Sequence, residues 1–178
     1  QNENAPKYLN TPDTELFNKS EVLFGLDKAK SHIRKLDYII LAAGQMDVVM
    51  SHQAGVKNSV ASSGTAFTIQ HLATISSLTK RILFAFDSDE AGVNAMKRSG
   101  LLALKSGFDV KVLIPEGAKD PADIVKDDPK LWIEAVKKSI PIIDYLINSL
   151  IDQKLEERLR VKRIGSDIMP FIVSLQSE

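Results

Sequence analysis

Asp87, Asp89 and Glu90 follow directly on the apolar run Ile82 to Phe86, and carboxylates crowded at the end of such a run repel one another unless a cation or solvent absorbs their charge. In extended backbone successive side chains alternate, so Asp87 and Asp89 project to one side and Ser88 to the other. Two carboxylates that close either shift a pKa or share a metal ion. Hard oxygen donors favour magnesium, manganese or calcium, and magnesium commonly takes only one or two carboxylates, filling its shell with water and substrate phosphates. Metal-dependent phosphoryl or nucleotidyl chemistry follows. Asp89 and Glu90 also suit a helix N-terminus, where carboxylates satisfy free N–H groups and oppose the dipole, so an isolated Asp-x-Asp leaves both readings open.

Other acids fall at comparable places. Asp47 comes shortly after the run Tyr38 to Ala43, separated from it by Gly44, and Asp120 and Asp123 flank Pro121 beyond the run Val110 to Ile114. Turn and cap roles suit this last pair equally well. Open parallel α/β sheets bind ligands outside the carboxyl ends of their strands, so if these runs are strands, three separated segments bring acids to one edge. Gly64 and Thr65, in Ser-Ser-Gly-Thr-Ala-Phe-Thr after a further short run, could offer backbone N–H groups to a phosphate or form a simple turn.

The elements that must position these residues are legible as alternating patterns. Tyr38–Ala43, Ser59–Ser62, Ile82–Phe86 and Val110–Ile114 are short continuous apolar runs, expected of strands covered on both faces. Between them lie helical patterns: Gly25–Leu36, with Leu26, Ala29, Ile33 and Leu36 on one face; the stretch after Gln45, closed by Gly55; the stretch after Thr68, which caps it; and the stretch from Glu90 to Gly107. Alternation of strand and helix predicts an α/β fold with a mainly parallel sheet flanked by helices. Beyond Pro121 the pattern turns helical, with helices expected from Pro129 to Ser139, from Pro141 to about Leu159 and in the tail toward Ser177, and an apolar stripe of Ile143, Leu146, Ile147, Leu150 and Ile151. The expected organisation is an arm and short helix over residues 1–37, an α/β core over 38–123 and a helical subdomain over 124–178. Trp132 is expected to pack the helical part against the sheet, and Met46, Met50 and Met96 fit buried helix positions. His32, His52 and His71 lack metal-ligand spacing and read as surface or core residues.

Composition bounds the function. The chain has 178 residues, no cysteine, and 23 basic against 23 acidic residues. Disulfides and thiolate metal sites are excluded, no zinc is expected, and a reducing cytoplasmic setting is. No stretch approaches the roughly 20 apolar residues of a membrane span. Zero net charge argues against a self-sufficient nucleic-acid-binding module, though not against a catalytic piece whose acids line one cleft.

Four segments in order, "AGQMDVVMSHQAG", "VASSGTAFT", "FAFDSDEAG" and "PEGAKDPAD", together with the arm "PKYLNTPDTELFNKSEVLFGL", resemble the Toprim portion of the RNA polymerase domain of bacterial DNA primases of the DnaG type. The resemblance covers most of the chain. It implies metal-dependent synthesis of RNA primers from NTPs on single-stranded DNA, with Mg2+ or Mn2+ held by Asp87 and Asp89. Asp47 and Asp120 assist in this reading, and Asp123 substitutes for a second acid that the family carries directly after the proline, where this chain has Ala122. Lys7 and Lys19 match basic positions that face the template strand, and Arg98 matches an arginine on the helix after the Asp-x-Asp; each also reads as solvated surface. Gly44, Gly64 and Thr65 are expected near phosphates. The family's zinc-binding domain, the basic first half of its polymerase domain and its domain for the replicative helicase are expected outside this chain.

The departures bear on activity. Ala43 stands where the family has a glutamate that ligates metal or acts as general base, Gln45 where it has tyrosine, and Val93 where it usually has a basic residue. Losing a charged active-site group commonly costs factors of hundreds in rate. The resemblance therefore implies either an impaired core, or one in which other acids hold the metal, or a Toprim-like module serving as scaffold or nucleic-acid contact without catalysis.

Overall fold

The computed structural model describes residues 12–15, 17–62, 66–113, 121–153 and 156–175. Its centre is a six-stranded sheet in the order β1-β3-β2-β4-β5-β6, where β1 is Leu23–Phe24, β2 Ile39–Ala42, β3 Ser59–Ser62, β4 Arg81–Ala85, β5 Asp109–Val112 and β6 Ile140–Pro141. The four inner strands are parallel and both edges antiparallel. Continuous apolar runs form the parallel strands because each is covered on both faces: all four residues of β2 and Ile82–Ala85 of β4 are buried.

Helix α1 (Leu26–Leu36) leads from the edge strand β1 into β2, and α2 (Gln45–Gln53), α3 (Ile69–Ser76) and α4 (Glu90–Lys105) connect the inner strands. Thr68 caps α3 as its sequence suggests, accepting from the His71 N–H at 3.1 Å. Gly55 at φ +90° and Gly107 at φ +71° lie just past α2 and α4, in the left-handed region that ends helices and favours glycine.

One face of the sheet packs Ile39, Leu41, Ile82 and Phe84 against α1, α3, α4 and the later helices; the other sets Ile40, Leu83 and Ala85 on Trp132, Ile124 and Val125. Trp132, from α6 (Pro129–Lys137), is fully buried there, as expected of a helix-to-sheet anchor. Ile124 and Val125 belong to α5 (Pro121–Asp127), which packs against α2.

The C-terminal helices include one in the tail, as expected, but the long one expected from Pro141 to about Leu159 is divided. They are α7 (Ile142–Asp152), α8 (Glu157–Arg163) and α9 (Met169–Leu175), with a π turn at Ile164–Ile168. Pro170 has no N–H to donate to a helical ladder, and the wider turn precedes it. On α7 the buried face is Ile142, Leu146 and Leu150 rather than the whole predicted stripe: Ile147 and Ile151 are exposed because α7 meets β5, β6 and the π turn on one side only. Met50 is half-buried and Met96 buried, but Met46 is half exposed, since the first turn of α2 turns it outward while Asp47 and Val48 face inward. Among the described residues no helix is long and apolar enough to cross a membrane.

Candidate functional site

Parallel pairing fixes which loops meet. Ala42 at the end of β2 is register partner of Ala85 at the end of β4, and of Ala61 in β3. Ala43 and Gly44 therefore emerge beside Phe86 and Asp87, and α2 and α4 both start at this carboxyl edge. Asp87 is half-buried just beyond β4, and Asp89 is exposed.

Asp89 is the N-cap of α4: its Oδ1 accepts from the Gly92 N–H at 2.7 Å. The helix-start reading of this acid is thus realised, with only one of its two carboxylate oxygens spent on it. Asp47 sits in the first turn of α2, buried to 7% exposure, and its Oδ2 accepts from the Gly44 N–H at 2.9 Å. That bond ties the turn after β2 to the helix it begins, and Gly44 is held in extended conformation at the N-cap. Asp123 is exposed in the first turn of α5, and α5 lies on the helix that carries Asp47. Arg98 lies farther off, exposed two turns along α4 and about 12 Å down its axis from Glu90. Lys19 is half-buried in a turn of the arm beside the N-terminus of α3. Lys7, Gly64, Thr65 and Asp120 lie outside the described residues.

Two features of the site take on their role only in three dimensions. Gly92 lets α4 come directly against the backbone of Asp87: a Cβ there would stand 2.2 Å from the Asp87 carbonyl oxygen. The sequence shows this glycine only as part of Glu-Ala-Gly; its partner becomes visible only in three dimensions. Beside Asp87 is a cavity of about 60 Å3 bordered by Phe84, Phe86, Ser88, Val93, Met96 and Tyr145. Val93, where the resemblance expects a basic group, packs half-buried into the core on this side, and burial pushes the Tyr145 phenol above its ordinary pKa.

Among the described residues no group of three histidine or acidic side chains gathers into a complete metal cage. The donors at the edge are all carboxylate oxygens, and magnesium needs only one or two of these when water and substrate phosphates fill the rest of its shell. The described residues fit an open site of that kind.

The chain matches the Toprim-like family model over residues 40–125 and that of the DNA primase catalytic core, N-terminal domain, over residues 1–30. It is 43% identical over 176 residues to the DNA primase of Staphylococcus aureus strain COL, covering 97% of this chain and 29% of that protein. The DNA primase of Helicobacter pylori strain J99 is 34% identical over 185 residues, covering 99% of this chain and 33% of the relative. The chain thus spans about a third of the curated relatives it matches. Among solved structures, the Aquifex aeolicus primase comprising zinc-binding and RNA polymerase domains superposes with a TM-score of 0.80 at 29% identity, over 98% of this chain and 42% of that one. A DnaG primase catalytic domain bound to single-stranded DNA gives 0.81 at 27% identity, over 99% and 57%.

Proposed function

Because the chain belongs to the DnaG-type bacterial DNA primases, as the Toprim portion of their RNA polymerase domain, we propose that it is the metal-binding half of a cytoplasmic catalytic core that makes RNA primers from NTPs on single-stranded DNA. The observation that carries this reading is the register of β2 with β4, which sets the turn before Asp47 beside the turn bearing Asp87 and Asp89.

In this reading Asp87 and Asp89 hold Mg2+ or Mn2+, with Asp120 and Asp123 as further acids on the α5 side. The ion when bound supplies positive charge that draws the triphosphate, neutralises charge developing at its α-phosphorus and favours ionisation of the attacking 3′-hydroxyl. The chain's own residues do the positioning. Asp47 holds the Gly44 turn in extended conformation, so that the N-terminus of α2 opens toward a phosphate. Asp89 spends one oxygen on Gly92 and keeps the other for the ion. Gly64 and Thr65, which lie outside the described residues, serve in this reading as further groups near the phosphates. Lys7, Lys19 and Arg98 contact the template backbone, which gives salt-sensitive binding with little sequence choice. Parts of the longer primase chain bring the remaining basic surface and the replicative helicase.

Manganese titration calorimetry tests the metal site. Asp87→Asn and Asp89→Asn are each expected to weaken binding at least tenfold, a loss of about 1.4 kcal/mol or more; unchanged affinity in both would remove the site. Ala43 favours a second reading, a non-catalytic Toprim-like scaffold or nucleic-acid module, because it is exposed at the edge where the resemblance expects a glutamate. Primer synthesis by the primase polypeptide carrying this segment, abolished by Asp87→Ala, excludes that module.

A further inference from the structure

His71 is fully buried although nothing in the metal site uses it. It is the third residue of α3, and its Nδ1 accepts from the Thr68 N–H at 3.2 Å. Nδ1 is therefore the unprotonated nitrogen, and Nε2–H donates to the carbonyl of Lys19, 52 residues away, at 3.1 Å. Thr68 adds a second tie, its hydroxyl donating to the Ser20 carbonyl at 2.5 Å while accepting from the His71 N–H. Two consecutive carbonyls of the arm are thus held by the first turn of α3. From the other side the Lys19 N–H donates to Asp13 Oδ1 at 3.1 Å. The backbone of Lys19 is fixed by both of its polar groups, while its ammonium makes no ion pair among the described residues.

The same imidazole is joined through Phe67 to β4, which ends two residues before Asp87. Its ring stacks on Phe67 with centroids 5.6 Å apart; Phe67 meets the ring of Phe84 edge-on at 5.9 Å, and Phe84 meets Phe86 at 5.4 Å. The next residue is Asp87. An unbroken line of packed rings and hydrogen bonds joins the arm to the acidic edge.

We propose that His71 is a positioning residue for template binding: by clamping the Lys19 carbonyl to α3, it holds the backbone from which the Lys19 side chain projects in fixed register with the Asp87 edge, and the ammonium meets a phosphate of single-stranded DNA. The inference rests on the reading of Lys19 as a template contact. His71 itself touches no nucleic acid. What it contributes is preorganisation: without the clamp, the turn that carries Lys19 must be ordered at the moment of binding in addition to the lysine stem, at a cost comparable with the contact itself.

The chemistry of the clamp specifies its own rescue. Glutamine at position 71 has an amide oxygen to accept from Thr68 and an amide N–H to donate to Lys19, whereas leucine has neither. The assay is fluorescence anisotropy of this chain with a labelled oligodeoxythymidine over a range of salt, each variant's fold being checked by thermal melting. Lys19→Ala is expected to weaken binding about fivefold at low salt and to lower the salt slope by about 0.7, the value for one single-strand phosphate contact. His71→Leu should reproduce both changes and add nothing to Lys19→Ala in the double variant, while His71→Gln keeps wild-type affinity and slope. If His71→Leu does not fold, His71→Phe takes its place, keeping a ring against Phe67 but neither ring nitrogen, with the slope expected to fall as in Lys19→Ala. A full slope in folded His71→Leu or His71→Phe, alongside a reduced one in Lys19→Ala, overturns the clamp and leaves the Lys19 contact standing. A full slope in Lys19→Ala overturns the contact and the clamp with it.

Discussion

Replacing Gly92 with alanine perturbs the candidate site through backbone alone. The added methyl would stand 2.2 Å from the carbonyl oxygen of Asp87, 2.9 Å from its carbonyl carbon and 3.1 Å from its nitrogen. An ordinary carbon–oxygen contact is about 3.3 Å, so the Asp87 peptide or the first turn of α4 must yield by about 1 Å. Every atom in the way belongs to the main chain, and no change of rotamer relieves the clash. Overpacking of this kind costs about 1–3 kcal/mol, and the better helix propensity of alanine returns about 1 kcal/mol, leaving a net loss of about 0–2 kcal/mol in stability. The effect on metal binding is larger in proportion. Ligand distances are held to about 0.2 Å, so a carboxylate displaced by about 1 Å is no longer a ligand. Electron paramagnetic resonance of free manganese, with thermal melting in parallel, should show at least tenfold weaker binding in a protein that still folds. Gly165→Ala is the control: no heavy atom lies within 4 Å of a Cβ there, and metal binding should be unchanged. Wild-type manganese affinity in Gly92→Ala, or a melting temperature raised as for an ordinary exposed helix position, would refute the close approach as the device that seats Asp87.

Three further outcomes follow from the same geometry. Burial holds the His71 imidazole below its ordinary pKa of 6.5, so the unfolded chain takes up this proton first. Stability from His71 is complete above about pH 6.5 and falls as pH drops from there toward the folded pKa, by at most about 1.4 kcal/mol per pH unit. Urea midpoints between pH 7.5 and pH 5 should show the fall, and His71→Gln should remove that part of it. Ala43→Glu adds a carboxylate beside Phe86 and Asp87 and should tighten manganese binding by about 1–3 kcal/mol in calorimetry, whereas an unchanged constant would mean that the side chain at 43 does not reach the ion. Trp132→Ala empties the fully buried contact with Ile40, Leu83 and Ala85 and should cost about 3–5 kcal/mol in denaturant unfolding.

The parts of the fold that sequence reveals are those whose burial is complete. The inner strands read as continuous apolar runs because residues such as Ile39 to Ala42 touch helices on both faces. The edge strands leave no such trace: β1 and β6 are two residues each, and their pairings, Leu23 with Ser62 and Val112 with Ile140, join distant segments that no local period connects. Periodicity also overstates burial where a helix has one neighbour instead of two, as at Ile147 and Ile151, and it misplaces Met46 on α2, where Met46 and Val49 are exposed and Val48 is buried. At the site, Asp87, Asp89 and Asp47 stand out because acids after apolar runs are costly without a partner. Sequence leaves open whether Asp89 caps a helix or holds an ion; the hydrogen bond to Gly92 establishes the cap. Gly92 and His71 act through contacts with main-chain atoms of Asp87 and Lys19, and a main-chain partner leaves no mark in residue types.

The most direct trial of the metal-edge account is paramagnetic broadening of backbone amide resonances on adding manganese to this chain. The account predicts that amides from Phe86 to Glu90 and from Gly44 to Asp47 broaden together, at one metal concentration, and that this is lost in the Asp87→Asn, Asp89→Asn double variant. Sharp resonances in both turns, or broadening that persists in the double variant, would contradict it.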